Sequence, residues 1–408
     1  MSGDVRREVI KKYSGLMEGF VNVMKREVAG WSDGLSELEK ETSIIESIYY
    51  SGYFDDATVE ESSVITNCVL TRILERYGIL SDLLDDPNVN EIMINGPDHI
   101  FVEKNREIIR VDDAFLSETE LEETIRMLAS DVHREINEAH PIVDARLPSG
   151  YRVSGVLKTV ALNGPILTIR KFSNETITME DLVGFGSITE GCSNQLRDLV
   201  RCGYNIFISG GTSSGKTTFL EALSSSIGEG ERVVIIEDSA ELKLESIENK
   251  VHMECRNSNS LGKGEVTMEM LIKTSLRMRP DRIIVGEVRG REVVDMIQAM
   301  NTGHSGSMST GHGNSIKGML NRLETMYLMG GKTPLYSVRS QIANAIDVFV
   351  HLERTHNGAR KVVEIAELTG YDGNEYNLNY LYTLDSFGRL VSTGNSIIDC
   401  RRLESENA

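Results

Sequence analysis

The spacing of apolar residues divides the chain into three regions, and the first of them is helical. In residues 1–80, apolar side chains recur at helical intervals between charged ones, as at Ile44, Ile45 and Ile48, which predicts amphipathic helices. A further helix is predicted from Glu60 to Tyr77, with Gly78 as its C-cap. We therefore expect a helical N-terminal extension over residues 1–80.

Short strands and one helix follow in residues 81–172. Apolar runs bounded by turn residues such as Asn95-Gly96-Pro97 are typical of strands. Ser117 and Glu120 have the spacing of a capping box, which predicts a helix from Ser117 to about Val132. The predicted strands are Val89–Ile94, His99–Glu103, Asp144–Arg146, Tyr151–Val156 and Ile166–Lys171. This mixture predicts an N-terminal α/β domain over residues 81–172.

Residues 173–191 are rich in polar residues and glycine, which is typical of a linker. From residue 192 to residue 408, apolar strand segments alternate with helical segments. Such alternation is typical of a largely parallel sheet covered by helices. The predicted fold class is therefore α/β, with a helical extension, an N-terminal α/β domain and a second domain built on a largely parallel sheet.

Composition narrows the functional classes. The 43 basic and 62 acidic residues give a net charge of −19, which argues against attraction of the whole chain to nucleic acid or anionic lipid. The five cysteines are dispersed without a CxxC pair, a pattern that favours reduced thiols over a disulfide framework or a zinc site. No signal-peptide pattern and no apolar run of membrane-spanning length occurs. We expect a soluble, intracellular protein.

A phosphate-binding motif lies between a predicted strand and a predicted helix. It matches G-x-x-x-x-G-K-[ST] in full, and Thr218 follows it; the motif residues are Gly210, Gly211, Thr212, Ser213, Ser214, Gly215, Lys216 and Thr217. The glycines let backbone N–H groups close around phosphate oxygens, and the helix start adds further N–H groups. Lys216 is expected to neutralise phosphate charge and Thr217 to bind Mg²⁺. A chance Gly/Ser turn is a poor alternative, because the strand–helix context also fits.

Acidic residues follow two later strands. Glu237 and Asp238 end the apolar run 233–236, and Glu287 follows the run 283–285. Ligands of doubly wound sheets bind at the carboxyl ends of strands, so Glu287 fits a Walker B acid. Either site taken alone also fits a solvated strand end. Asn249-Lys250-Val251-His252 begins like a guanine-reading motif but lacks its aspartate, which argues against a GTPase.

His304 and His312 lie eight residues apart, each in a glycine-rich turn beside a short predicted strand. Their position after Glu287 favours a role in sensing the γ-phosphate. A zinc site is disfavoured because no further ligands lie at a customary spacing.

With these four motifs in order, the chain from about Leu80 to Glu367 resembles the type II/type IV secretion ATPase superfamily, most closely the CpaF-type ATPases of tight-adherence (Tad/Flp) pilus systems. The segment that begins Leu83-Leu84-Asp85-Asp86-Pro87 is similar to the opening of that family's N-terminal domain. Residues 144–152 and 167–171 are similar to its arginine-bearing strands. The resemblance implies that the domain over 192–408 is RecA-like. The tetracysteine metal module of some relatives is absent from the sequence, so no structural zinc is expected.

The resemblance also implies roles for individual residues. Lys216 and Thr217 match the phosphate and Mg²⁺ residues, Glu287 the Walker B acid that also holds Mg²⁺, and His312 the histidine box, with His304 beside it. Glu237 matches the aspartate box and is the expected base that orients the attacking water. The arginines that the family brings to the γ-phosphate are matched by Arg146, Arg152 and Arg170; a surface salt bridge stays open for each.

The function implied is an ATP-hydrolysing, Mg²⁺-dependent motor for assembly of a Tad/Flp-type pilus or associated secretion. It is expected to form a homo-hexamer in the cytoplasm, at the inner face of the cytoplasmic membrane, where it meets a pilus or secretion platform protein. Three alternatives stay open: a type IV secretion ATPase that moves protein or DNA, a nucleotide-binding scaffold without turnover, and a small-molecule kinase.

Overall fold

The computed structural model describes residues 3–31, 34–104, 107–171, 176–256, 258, 262–355, 358–400 and 402–403. The chain divides into two compact units, Met1–Asn174 and Glu175–Ala408. Part of the segment predicted as a linker, residues 173–175, lies outside the described residues; the rest of residues 173–191 contains a short helix and the start of another. Among the described residues, no helix is both long and apolar enough to cross a bilayer.

The first unit begins with three helices, α1 (Gly3–Val28), α2 (Glu37–Tyr50) and α3 (Val59–Leu74). Full capping boxes start α2, at Ser36 and Glu39, and α3, at Thr58 and Glu61. The apolar faces pack into one core that includes Ile10, Met17, Phe20, Ile44, Ile48, Ile65 and Val69. The predicted helical extension is confirmed. Its last helix, α3, ends at Leu74 and not at Tyr77, because Glu75 has an extended backbone conformation.

A buried arginine joins the three helices to the rest of the unit. The Arg72 side chain on α3 is 2% exposed. It donates to the Glu120 carboxylate at 2.7 Å, to the Ala114 carbonyl at 2.6 Å and to the Cys68 carbonyl at 3.1 Å. Because a buried guanidinium without such partners would be strongly destabilising, these bonds fix α3 to the segment that leads into the next helix.

The sheet of the first unit has the order β3-β2-β1-β6-β5-β4, and all its neighbouring strands are antiparallel. Helices α4 (Ser81–Asp85) and α5 (Glu118–Asp131) accompany it, and α5 packs so closely on one face that a Cβ on Gly155 would lie 2.7 Å from Ile125. Its strands are β1 (Val89–Asn95), β2 (Ile100–Lys104), β3 (Glu107–Arg110), β4 (Ile142–Arg146), β5 (Arg152–Val156) and β6 (Ile166–Arg170). Strand β3 was not predicted, because all four of its residues are exposed.

The second unit is built on a sheet of order β15-β14-β13-β12-β7-β11-β10-β8-β9 in the described chain. Its strands are β7 (Ile206–Gly210), β8 (Val233–Glu237), β9 (Lys250–Glu254), β10 (Arg282–Val285), β11 (Met308–His312), β12 (Val348–Arg354), β13 (Arg360–Tyr371), β14 (Tyr376–Leu384) and β15 (Leu390–Ser392). The run from β12 to β9 is parallel, and β13, β14 and β15 add an antiparallel edge.

Helices cover both faces of this sheet. They are α6 (Met179–Gly184), α7 (Glu190–Arg201), α8 (Lys216–Ser224), α9 (Met268–Ser275), α10 (Val293–Asn301), α11 (Ile316–Met329) and α12 (Leu335–Ala345). Alternate residues of β7 and β8 face the two layers, with Ile206 and Ile208 against α6–α8 and Phe207 against α9–α12. The predicted fold class, with its largely parallel sheet, is confirmed.

Candidate functional site

The sheet of the second unit brings four sequence motifs together at the carboxyl ends of its parallel strands. Strands β7, β11, β10 and β8 are neighbours and parallel, so their carboxyl ends lie side by side. Gly210 ends β7 and is paired in register with His312, which ends β11. Glu237 ends β8, and Glu287 follows β10. Residues far apart in sequence are thus collected where doubly wound sheets bind ligands.

The loop between β7 and α8 has the backbone of a phosphate loop. Ser213 and Gly215 have φ values of +57° and +91°, in the left-handed region that glycine tolerates best. A side chain at Gly210 would meet the Leu352 carbonyl and Ser214 Oγ at 2.5 Å, so only glycine fits there. Lys216 opens α8 and Thr217 and Thr218 continue it, which leaves the N–H groups of the first helical turn directed at the loop.

Lys216 lies inside this loop. Its side chain is largely buried, and Nζ lies 3.2 Å from the Gly210 carbonyl oxygen and 2.9 Å from that of Gly211. Burial lowers the pKa of the Lys216 ammonium, and Glu287 opposes that effect. Because an ammonium has three protons to donate, Lys216 can exchange these carbonyl contacts for phosphate oxygens.

His312 connects Lys216 to Glu287. Its Nδ1 lies 3.2 Å from Lys216 Nζ, and its Nε2 lies 2.8 Å from Glu287 Oε1. Burial lowers the pKa of His312, against the opposing charge of Glu287 and aided by that of Lys216. The ring is therefore neutral at pH 7. Since Nδ1 faces a group that can only donate, the proton is assigned to Nε2.

Glu237 is buried beside this chain of contacts and is already hydrogen-bonded. Its carboxylate accepts from the backbone N–H groups of Glu241 at 3.0 Å and Leu242 at 3.2 Å. His252 Nε2 lies 2.6 Å from its Oε2. The side chain crosses Gly286, where a Cβ would lie 2.8 Å from Glu237 Cγ, so the glycine before Glu287 makes room for Glu237.

The residues predicted to hold Mg²⁺ offer suitable donors. Thr217 presents a hydroxyl in the first turn of α8, and Glu287 a carboxylate; hard oxygen ligands are what Mg²⁺ prefers. The buried Glu287 Oε1 lies 2.8 Å from His312 Nε2, but this contact lacks the geometry of a hydrogen bond, and no other described residue donates one to it. An oxygen left in this way fits a cation ligand, because burying an unpaired carboxylate oxygen is otherwise costly.

Three predicted arginines form a row on the sheet of the first unit. Arg146 on β4 is directly opposite Arg152 on β5, which is directly opposite Arg170 on β6. Glu91 on β1 extends the row beyond Arg170. Directly opposite residues share a face of the sheet, and like charges placed so are destabilising. The three arginines therefore repel one another along the row.

His304 is not brought to the phosphate loop. It precedes β11, and its Nδ1 lies 3.2 Å from the Ala299 carbonyl oxygen at the end of α10. His312 ends the same strand, and a strand of this length spans about 13 Å. The two histidines therefore lie at opposite ends of β11.

Two residues at this end of the parallel strands, His252 and Arg289, were not predicted from the sequence. His252 lies on β9, which pairs with β8 in register, and it was considered only as part of a guanine-reading motif. The available signal was the alternation of polar and apolar residues from Lys250 to Glu254. Arg289 contacts Glu287 and Asp238; nothing in the sequence distinguishes it from other arginines.

His351 predicts a dependence of stability on pH. It is 1% exposed on β12, and Ser209 Oγ lies 2.8 Å from its Nδ1. Burial lowers the pKa of His351 to about 4, whereas in the unfolded chain a histidine titrates at about 6.5. As pH falls below that value the unfolded chain binds the proton first, so stability is lost until His351 itself is protonated.

We expect His351 to contribute a loss of about 2 kcal/mol in the free energy of unfolding between pH 8 and pH 5. Urea unfolding of the wild type and of His351→Gln, followed by circular dichroism at both pH values, isolates this contribution, because all other groups are shared. An equal loss in the two proteins would contradict the assignment.

The fold and site define a class of protein, the P-loop nucleotide-binding proteins. Residues 74–375 match the family described as type II/IV secretion system protein. The chain is 34% identical over 297 residues to the conjugal transfer protein TrbB of Rhizobium radiobacter, covering 72% of this chain and 88% of that protein. It is 32% identical over 333 residues to the type IV secretion system protein VirB11 of Bartonella henselae, covering 72% and 92%. The chain therefore belongs to the type II/IV secretion system protein family.

Solved structures share the fold. The Legionella pneumophila ATPase DotB superposes with a TM-score of 0.51 at 20% identity, over 72% of this chain and 79% of that one. The pilus retraction motor PilT with bound ADP superposes with a TM-score of 0.52 at 18% identity, over 81% and 86%. At these identities the likeness concerns the fold alone.

Proposed function

We propose that this protein is an ATP-hydrolysing motor of a secretion system. The observation that carries the proposal is the chain of contacts Lys216–His312–Glu287 at the edge where the phosphate loop lies. It joins the group that neutralises phosphate charge to an acid suited to a metal or a water molecule. Catalysis would come mainly from positioning and charge neutralisation, as is general for phosphoryl transfer.

Within this proposal, water attacks the γ-phosphate in line with the leaving oxygen. Lys216 binds the β- and γ-phosphate oxygens, and the neutral His312 keeps Glu287 directed at the site. We keep Glu237 as the residue that orients the water; two backbone N–H donors and the His252 ring hold its carboxylate in position. Thr217 and Glu287 would hold Mg²⁺, which would supply positive charge next to the phosphates.

The row of Arg146, Arg152 and Arg170 is proposed to supply the remaining positive charge to the γ-phosphate. Arginine stays charged and can bind two oxygens at once. The mutual repulsion within the row would be relieved when an anion binds. The affinity of the arginines for the γ-phosphate would then differ before and after hydrolysis, and such a difference can drive a change of state. A homo-hexameric ring is proposed as the assembly in which this cycle does work.

We propose type IV secretion, of protein or DNA, as the process served. The conjugal-transfer and type IV secretion names of the relatives support it more than they support Tad/Flp pilus assembly, which the sequence resemblance suggested. In either process the partner would be a platform protein at the cytoplasmic face of the inner membrane. The neighbouring genes would distinguish the two processes: genes for secretion-channel proteins would indicate type IV secretion, and genes for pilus subunits would indicate pilus assembly.

Steady-state phosphate release from ATP and GTP with Mg²⁺, measured with the mass of the protein in solution across concentrations, tests the proposal. We expect ATP turnover to rise as hexamers form. No turnover in any assembly state would favour the scaffold alternative. Release that needs an added acceptor molecule would favour a kinase. Faster turnover of GTP than of ATP would contradict the assignment of the nucleotide.

A further inference from the structure

Arg289 lies between the two acidic motifs and binds both. Its Nη2 and Nε donate to Glu287 Oε2 at 2.7 and 3.2 Å. Its Nη1 donates to Asp238 Oδ2 at 3.3 Å. One guanidinium thus connects the acid that follows β10 to the acid that follows β8.

The backbone that carries Arg289 is held firmly. Glu292 Oε1 accepts from the N–H groups of Arg289 at 2.5 Å and Gly290 at 2.7 Å. The N–H of Val288 donates to the Thr310 carbonyl at 3.0 Å. The Arg289 side chain itself is 59% exposed, and exposed ion pairs contribute little to stability. The fixed backbone therefore keeps the charge of Arg289 close to Glu287, although this exposed side chain is not part of the core.

The two oxygens of Glu287 have different surroundings. Oε2 is held by Arg289, whereas Oε1, close to His312, makes no hydrogen bond with the described residues. A divalent cation bound to this carboxylate would share it with a guanidinium, and the two cations repel each other. The attraction of one carboxylate is thus divided between a fixed cation and an exchangeable one.

We propose that Arg289 is an internal counter-ion of Glu287 and Asp238 that competes with the divalent cation and weakens its binding. The inference rests on the proposed nucleotide site. A weaker hold on the cation suits a site that must release its products each cycle, and the two hydrogen bonds from Arg289 to Oε2 keep Glu287 in place meanwhile. Arg289 is accordingly a positioning residue, which acts through Glu287.

Substitutions separate the charge of Arg289 from its geometry. Arg289→Ala removes both, whereas Arg289→Lys keeps the charge and loses the two-pronged contact. Arg291→Ala is the matched control, because Arg291 lies two residues further along the same segment, is 64% exposed and pairs with Glu269 instead. All three substitutions are at exposed positions and should leave the melting temperature unchanged.

The experiment is a Mg²⁺ titration of each protein with a fluorescent ATP analogue at fixed concentration, read as the half-saturating Mg²⁺ concentration. For Arg289→Ala we expect this concentration to fall about tenfold, since one nearby repelling charge is removed. Arg289→Lys and Arg291→Ala should stay within about twofold of wild type, because the local charge is kept in the first and the removed charge pairs with Glu269, and not with Glu287, in the second. Repeating the titration with Mn²⁺ should give the same order of variants.

Each outcome decides the proposal. A wild-type value for Arg289→Ala would overturn it, and so would an equal fall in Arg291→Ala, which would show a general field effect. The wild-type titration alone reports on the proposed function: no binding of the analogue, with or without metal, would overturn the nucleotide site itself. Metal-dependent binding by wild type with unchanged variants would overturn only the role of Arg289.

Discussion

Replacing Glu287 with glutamine should lower ATP turnover about 10³-fold while ATP still binds. Glutamine preserves the size of the side chain but removes the charge that faces His312, Arg289 and the candidate metal site. The phosphate loop and Lys216 are untouched, so affinity for the phosphates should persist. Steady-state phosphate release and equilibrium binding of a nucleotide analogue measure the two effects separately.

Glu248→Gln is a suitable control for this substitution. Glu248 is exposed and precedes β9, so it lies at the amino ends of the strands, whereas the site lies at their carboxyl ends. The same chemical change there should leave turnover as in wild type. A Glu287→Gln protein that hydrolyses ATP at the wild-type rate would remove Glu287 from the reaction.

Arg170→Ala should also lower turnover about 10³-fold, with most nucleotide affinity retained, by analogy with other arginines that act on a γ-phosphate. Arg170 ends β6 in the row with Arg152 and Glu91. Its charge is expected to matter at the transition state, where negative charge on the transferred phosphoryl oxygens is greatest. Single-turnover hydrolysis beside a binding titration gives the two quantities.

Two further substitutions sharpen this test. Arg126→Ala removes an arginine from α5, where it pairs with Glu122, and α5 packs on the face of the sheet opposite the row; turnover should not change. Arg152→Thr removes the middle of the row and should raise the free energy of unfolding by about 0.5 kcal/mol, since it relieves repulsion on both sides. Unchanged turnover in Arg170→Ala would exclude Arg170 from the site.

Local patterns made much of the site predictable from sequence. The phosphate loop needs only a strand, eight fixed positions and a helix, all contiguous, and the structure has them at β7, the loop and α8. The acids at Glu237 and Glu287 follow short apolar runs that are fully buried strands. Because parallel strands present their carboxyl ends together, their convergence followed once the sheet was expected to be parallel.

The features of the site that depend on pairing between strands distant in sequence could not be predicted. The row of arginines depends on the register of β4, β5 and β6, which no local pattern specifies. Strand β9 has exposed positions at Lys250 and His252 and so lacks an apolar run. His304 and His312 were predicted to act together, but β11 lies between them. They are therefore at opposite ends of that strand.

The anchoring of α3 by Arg72 has a mechanical consequence. The family match begins at residue 74, at the end of α3, so the three N-terminal helices could be taken for a detachable tether. Arg72 instead ties them to Glu120 and the Ala114 carbonyl through buried bonds. A pull on these helices would therefore be transmitted at once to Ala114 and to the first turn of α5, which contains Glu120. Trimming the chain to its family-matched core would leave the Glu120 carboxylate without its guanidinium and strip the apolar cover from Ala114 and Leu116.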